Sequence, residues 1–219
     1  MEPMSKRTKI LVIMLGISLL VTVFTGVGPA FAANSQGGTP ALTSTLAADA
    51  GSWSVMNSGS TNGLNDIWGN SRSEAFVAGD SGTVLDFNGN GWSSLDTGTQ
   101  KDVLGIWGSS SGDIFAVGYL GTILHYDGSK WNSESTGTTT CLMGVWGSSS
   151  DNVYVVGEGG TILHYDGRSW SSIDSGTKYG LYSVWGTSAD DVFITGQCSV
   201  LLHYDGKQWA SLMGELEDA

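Results

Sequence analysis

Positive charge is scarce in this chain. It has 9 Lys+Arg against 21 Asp+Glu, a formal net charge of −12 over 219 residues. A surface that acidic is repelled by nucleic acid and by anionic lipid, so neither is an expected partner, and the charge is read as keeping the chain soluble. Cysteine is scarcer still, with Cys141 and Cys198 alone. Two cysteines with no metal-type spacing exclude a cysteine-built metal site. The two stand at different positions of different repeats, so a disulfide between them would be an addition to the fold and not its framework. Helical periodicity is absent after Ala50, and every stretch there is too short for a helix.

The N-terminus has the layout of an export signal. Lys6, Arg7 and Lys9 precede an uncharged apolar run from Ile10 to Val27, and Pro29-Ala30-Phe31-Ala32 ends in a small-x-small site. Residues 1–32 are therefore expected to be a cleaved signal peptide. The competing reading is an uncleaved membrane anchor, because the 18-residue run is just long enough to span a bilayer. Either way the remainder is expected to be secreted or extracytoplasmic, with the basic flank inside. Taking away Lys6, Arg7, Lys9 and Glu2 leaves 6 basic against 20 acidic residues, a net of about −14. Residues 33–51, rich in Ala, Ser, Thr and Gly, read as a flexible linker, and 214–219 as an acidic tail.

What the chain has in quantity is tryptophan at a fixed period. Trp53, Trp92, Trp131, Trp170 and Trp209 are 39 residues apart, and so are Trp68, Trp107, Trp146 and Trp185, each of these followed by glycine. A period of this length marks a repeat architecture. Within one unit, Leu104–Gly108, Asp113–Gly118, Gly121–Tyr126 and the stretch at Trp131 are short apolar and aromatic segments between Gly, Ser, Asp and Asn clusters. They predict four strands per unit. The pairs Asn88-Gly89, Asp127-Gly128, Asp166-Gly167 and Asp205-Gly206 predict tight turns between the third and fourth strands. Four-stranded antiparallel units in tandem predict an all-β β-propeller over residues 52–213, built of four 39-residue blades plus one extra N-terminal strand at Trp53. The first strand of each blade is expected nearest the axis. Three closures are compatible with this count: a ring of four with the Trp53 strand left over, an open arc that pairs with a second chain as a homodimer, or a portion of a longer array.

The motifs Ile-Trp-Gly-Ser-Ser, Gly-Thr-Ile-Leu-His-Tyr-Asp-Gly and the closing Trp resemble the BNR-like or Asp-box-like propeller repeats of bacteria and archaea, a broad group that includes the photosystem II assembly-factor-like propellers. The resemblance runs from Trp53 to Trp209. It implies a propeller fold and leaves activity open. One departure is visible: the sialidase Asp-box is Ser-x-Asp-x-Gly-x-x-Trp, and here Asp to Trp is one residue shorter, which makes the turn analogous.

Because the units are internal copies, fixed positions read as scaffold and variable ones as free to face a ligand. The structural repeat positions are Trp68, Trp107, Trp146, Trp185, Trp92, Trp131, Trp170, Trp209 and His125, His164, His203. The three histidines sit in third strands of different blades, too far apart to share one metal ion, so no metal or other cofactor is expected. Variation clusters before the first strand and in the second-to-third turn. In an up-and-down blade those loops share one side, and Lys101, Tyr119, Glu158, Lys178 and Tyr179 are the candidate ligand-binding residues. Sialidase chemistry needs clustered arginines, whereas the exported part has only Arg72 and Arg168. No nucleophile elbow or phosphate loop is present. The expected function is an exported non-catalytic module for binding or scaffolding, with carbohydrate or a cell-surface or extracellular protein as ligand. The alternatives are a BNR-repeat glycoside hydrolase of sialidase type and a self-assembling structural arc.

Overall fold

A computed structural model describes residues 55–212 of the chain. The expected signal peptide, linker, Trp53 strand and acidic tail lie outside the described residues. Within them, sixteen strands form four sheets of four, each antiparallel and in chain order. Blade 1 holds β1 (Leu64–Ser71), β2 (Glu74–Gly79), β3 (Val84–Phe87) and β4 (Trp92–Leu95). Blade 2 holds β5 (Val103–Ser110), β6 (Asp113–Gly118), β7 (Ile123–Tyr126) and β8 (Trp131–Glu134). Blade 3 holds β9 (Leu142–Ser149), β10 (Asn152–Gly157), β11 (Ile162–Tyr165) and β12 (Trp170–Ile173). Blade 4 holds β13 (Leu181–Ser188), β14 (Asp191–Gly196), β15 (Leu201–Tyr204) and β16 (Trp209–Ser211).

The second strands explain why blades stack. Ile114, Phe115, Ala116 and Val117 are successive residues of β6, and all are fully buried. A strand alternates its side chains between two faces, so such a run requires cover on both. Neighbouring blades supply it. One apolar cluster joins Phe76, Ala78 and Val84 of blade 1 to Val103, Ile114 and Leu124 of blade 2. A second joins Val117 and Ile123 to Leu142, Val155 and Leu163. A third joins Tyr154, Val156 and Ile162 to Leu181, Val192, Ile194 and Leu202. Each such side chain is worth about 1.5–3 kcal/mol on full burial.

The first strands pack on one another, β1 on β5, β5 on β9 and β9 on β13. Glycine makes this approach feasible. A Cβ at Gly147 would meet the Trp107 ring at 2.6 Å, and one at Gly186 would meet the Trp146 ring at 2.6 Å. Gly108 stands in the same relation to Trp68, at 2.9 Å. The inner tryptophan of blades 1, 2 and 3 thus lies over the glycine of the next blade's Trp-Gly pair. The stacking runs from blade 1 to blade 4, and β13 does not stack on β1 in this way. The described residues form an open arc of four blades; the ring of four is not the arrangement observed.

The first junction differs from the others. Asp66 occupies the position of Gly105 and Gly144, and its carboxylate accepts hydrogen bonds from the backbone N–H of Ile67 and of Ile106 in blade 2, both at 2.9 Å. Burial raises the Asp66 carboxyl from its ordinary 3.8 to about 6, against the opposing pull of those two N–H groups. The folded chain therefore holds this proton more tightly than the unfolded chain does. The corresponding stabilisation is complete below pH 4 and is lost as the pH rises through 6.

Two outcomes are expected. Gly147→Ala forces Trp107 or the backbone aside and lowers unfolding free energy by about 1–3 kcal/mol in urea titration. Asp66→Asn stays neutral at all pH, so its stability relative to the parent rises by roughly 2–3 kcal/mol between pH 4 and pH 7. Thermal unfolding across that range reads the difference, and a flat difference would remove the assignment.

Candidate functional site

The second-to-third connection of every blade is a single 3₁₀ turn: Asp80–Gly82, Tyr119–Gly121, Glu158–Gly160 and Gln197–Ser199. Its first N–H is tied to the residue that precedes the blade's first strand. Asp80 donates to the Gly63 carbonyl at 2.9 Å, Tyr119 to Asp102 at 3.0 Å, Glu158 to Cys141 at 2.9 Å and Gln197 to Gly180 at 2.7 Å. The two variable loop clusters are therefore one continuous edge of each blade. Thr122 and Thr161 brace two of the turns, each hydroxyl donating to the turn's first carbonyl at 2.7 Å. The first three turns also rest on the first strand of the following blade.

Tyr119 is 47% exposed at this edge, and Lys101, Glu158 and Lys178 are exposed as well. Tyr119 and Glu158 head the 3₁₀ turns of the adjacent blades 2 and 3. The Tyr119 hydroxyl is held above its ordinary value, first by the Cys141 sulfur, then by partial burial, Asp102, Glu158 and Asp80. Lys178 sits 5.9 Å from the centre of the half-buried Tyr179 ring, at the outer limit of a cation–π contact. The structure does not join Lys101 or the Lys178–Tyr179 pair to Tyr119 in one pocket. Cys141 is buried and Cys198 exposed, and no disulfide joins them.

Sequence reasoning did not find the strain at this edge. The middle residue of each turn is left-handed: Ser81 (φ 56°), Leu120 (φ 55°), Gly159 (φ 64°) and Cys198 (φ 54°). Leu120 carries its side chain in that conformation while 61% exposed. A second missed feature is a shallow depression of about 480 Å³ beside Gly159 and Gly160, lined by Thr136, Thr138, Thr161, Thr177 and Asp174. The recurrent Thr-Gly-Thr was legible as a repeat position but gave no sign of a concavity.

No protein-family model matches the sequence, and no curated protein matches it. Solved structures do. YCF48 from Cyanidioschyzon merolae aligns with 64% of this chain at 14% identity and a TM-score of 0.54, covering 50% of that chain. The WD40 repeats of RRP9 align with 69% of this chain at 9% identity and a TM-score of 0.62, covering 51% of that chain. The chain is a β-propeller repeat protein. It spans about half the length of each of these two solved chains.

The opposite edge of the propeller carries its histidines. In blade 2 the Ser109 hydroxyl donates to Asp113, whose other oxygen lies 2.5 Å from His125 Nε2. In blade 4 the row is Thr187, Asp191 and His203, with 2.5 Å and 2.8 Å contacts. In blade 3 it is Ser148, Asn152 and His164, at 2.7 Å and 2.5 Å. Each row crosses three strands of a single blade, and each imidazole lies against an aromatic of the second strand, His125 at 4.1 Å from Phe115. The carboxylate or amide occupies the middle of the row, so no imidazole touches the hydroxyl and none can serve as its base. Asn152 in the third copy cannot carry a charge at all. Burial lowers the basicity of His164, which favours the neutral ring.

Blade 1 breaks the row with Glu74 and Asp86. The Asp86 carboxyl is raised by burial and by the charge of Glu74. An open depression of about 340 Å³ lies there, lined by Ser73, Glu74, Asp86, Phe87 and Asn88.

Replacing Leu120 with glycine, the residue its counterpart Gly159 already is, relieves the left-handed strain of the propeller turn. Leu120→Gly is expected to raise unfolding free energy by about 1 kcal/mol in chemical denaturation. A loss of similar size would show that Leu120 is held by packing instead.

Proposed function

We propose that this propeller is an exported, non-catalytic binding or scaffolding module, secreted or held at the outer face of a membrane, whose loop edge takes a carbohydrate or an extracellular protein. One observation carries the reading: the backbone ties from each 3₁₀ turn to the preceding loop gather the variable positions of all four blades on one edge. A rigid scaffold that varies at one edge is the ordinary design of a recognition surface. Aromatic and charged side chains there, Tyr119 and Tyr179 with Lys101, Lys178 and Glu158, offer ring faces for sugar stacking and charges for a polar partner. Tyr182, 51% exposed on β13, adds a further ring face.

A glycoside hydrolase is the second reading, supported by the carboxyl pair Glu74–Asp86 with its raised Asp86 beside a depression. It predicts turnover of chromogenic glycosides that is abolished in Glu74→Gln and in Asp86→Asn. The binding reading predicts no turnover.

A glycan and extracellular-protein binding screen should yield a ligand whose affinity falls at least about tenfold in the Tyr119→Ala/Tyr179→Ala double variant, with thermal stability unchanged. Undiminished binding by that variant would move the ligand off the loop edge.

A further inference from the structure

Each internal junction of the arc has a giver and a receiver. Trp68, Trp107 and Trp146 are half-buried over Gly108, Gly147 and Gly186, and all three glycines are buried. The series leaves one giver and one receiver over. Trp185 is 53% exposed, and no Trp-Gly pair follows it among the described residues. Gly69 is exposed, and what stands nearest to it is its own hairpin, Glu74 and Ala75.

The surroundings of both ends repeat the contrast. Ile67 beside Gly69 is 50% exposed, whereas Ile106 and Val184 at the same repeat position are 3% and 6% exposed. Leu64 is 38% exposed, whereas Val103, Leu142 and Leu181 are fully buried. At the other end Phe193 is only half-buried, whereas Phe115 at the same position is fully buried. Both faces are apolar, and each is one half of an interface that the chain already builds three times. Monomeric proteins rarely leave such patches open.

We infer that a second copy of this chain covers both ends, with Trp185 of each copy seated over Gly69 of the other, so that two four-blade arcs close into a ring of eight. The occupant follows from the self-complementarity: the donor face and the acceptor face belong to the same chain, and they match as blade 1 matches blade 2. A head-to-tail contact of this kind makes a closed ring only when its rotation closes, and otherwise grows into a filament. Eight blades lie within the range of known propellers, at its upper end. The inference is independent of what the loop edge binds.

The test is the ratio of native to denatured mass of the purified full-length gene product, by native and denaturing mass spectrometry with sedimentation equilibrium. The expected ratio is two. Trp185→Glu at one end and Ile67→Glu at the other each place a charge in the junction and are expected to weaken association at least about 100-fold, giving a ratio of one. Tyr119→Ala, on the loop edge, is expected to leave the ratio at two. Circular dichroism establishes that each variant is folded, and if one fails to fold, the variant at the opposite end decides. A parent ratio of one, a ratio of two that survives both charged variants, or a ladder of higher oligomers would each overturn the ring.

Discussion

The contact on which the rest of this structure depends is an indole ring lying over a glycine. First strands of adjacent blades come close only because Gly108, Gly147 and Gly186 present no side chain to Trp68, Trp107 and Trp146. That approach brings the second strands within reach of the next blade, and their unbroken apolar runs are buried as a result. A residue inserted within a first strand would carry the glycine out of register with the tryptophan of the blade before it. The 39-residue period therefore holds without a slip across the four blades. The same constraint sets the direction of the arc, because giver and receiver are different residues.

A second set of contacts stiffens blades 2, 3 and 4 at the edge away from the loops. The hydroxyl, carboxylate or amide, and imidazole rows bind three strands together, and the ring stacking of His125 on Phe115 links that polar row to the apolar interface. The turns between third and fourth strands do the same work locally. Asp127 accepts from Ser129 and Lys130 N–H groups, both at 3.0 Å, and its carboxyl is held well below the ordinary range by the Ser129 hydroxyl and those backbone donors. Histidines, acids and hydroxyls at this edge are joined to one another within blades 2 and 4. Blade 1 lacks the row, and it is also the blade that ties to its neighbour through Asp66.

Much of this was legible in the sequence. Tryptophan spacing and the Asx-Gly turns identify the strands, and the common spacing of His125, His164 and His203 puts them at one position of three blades. Other features were hidden for physical reasons. The open arc depends on the rotation between blades, summed over three junctions, which no local pattern records. Asp66 looks like one more variable position, and only its burial against Ile106 makes its carboxyl unusual. The buried indole N–H groups of Trp131 and Trp170, which have no hydrogen-bond acceptor, also escape a reading by type, since buried indoles ordinarily find one. Trp170 instead meets the Phe115 ring edge-on, at 6.0 Å and 80°.

The turn edge carries backbone strain. The middle residue of each 3₁₀ turn is left-handed in all four blades, yet only blade 3 has glycine there. Stability alone favours glycine at every copy, because a side chain in that conformation costs about 1–2 kcal/mol. Leu120 and Cys198 remain exposed in spite of that cost and gain little from packing. Their retention is a reason to look to this edge for recognition, where the benefit of a side chain is realised against a partner and not within the fold. In blades 2 and 4 the rows on the far side brace three strands against the strain of Leu120 and Cys198, since a blade so braced does not unravel when one turn is held in an unfavourable conformation.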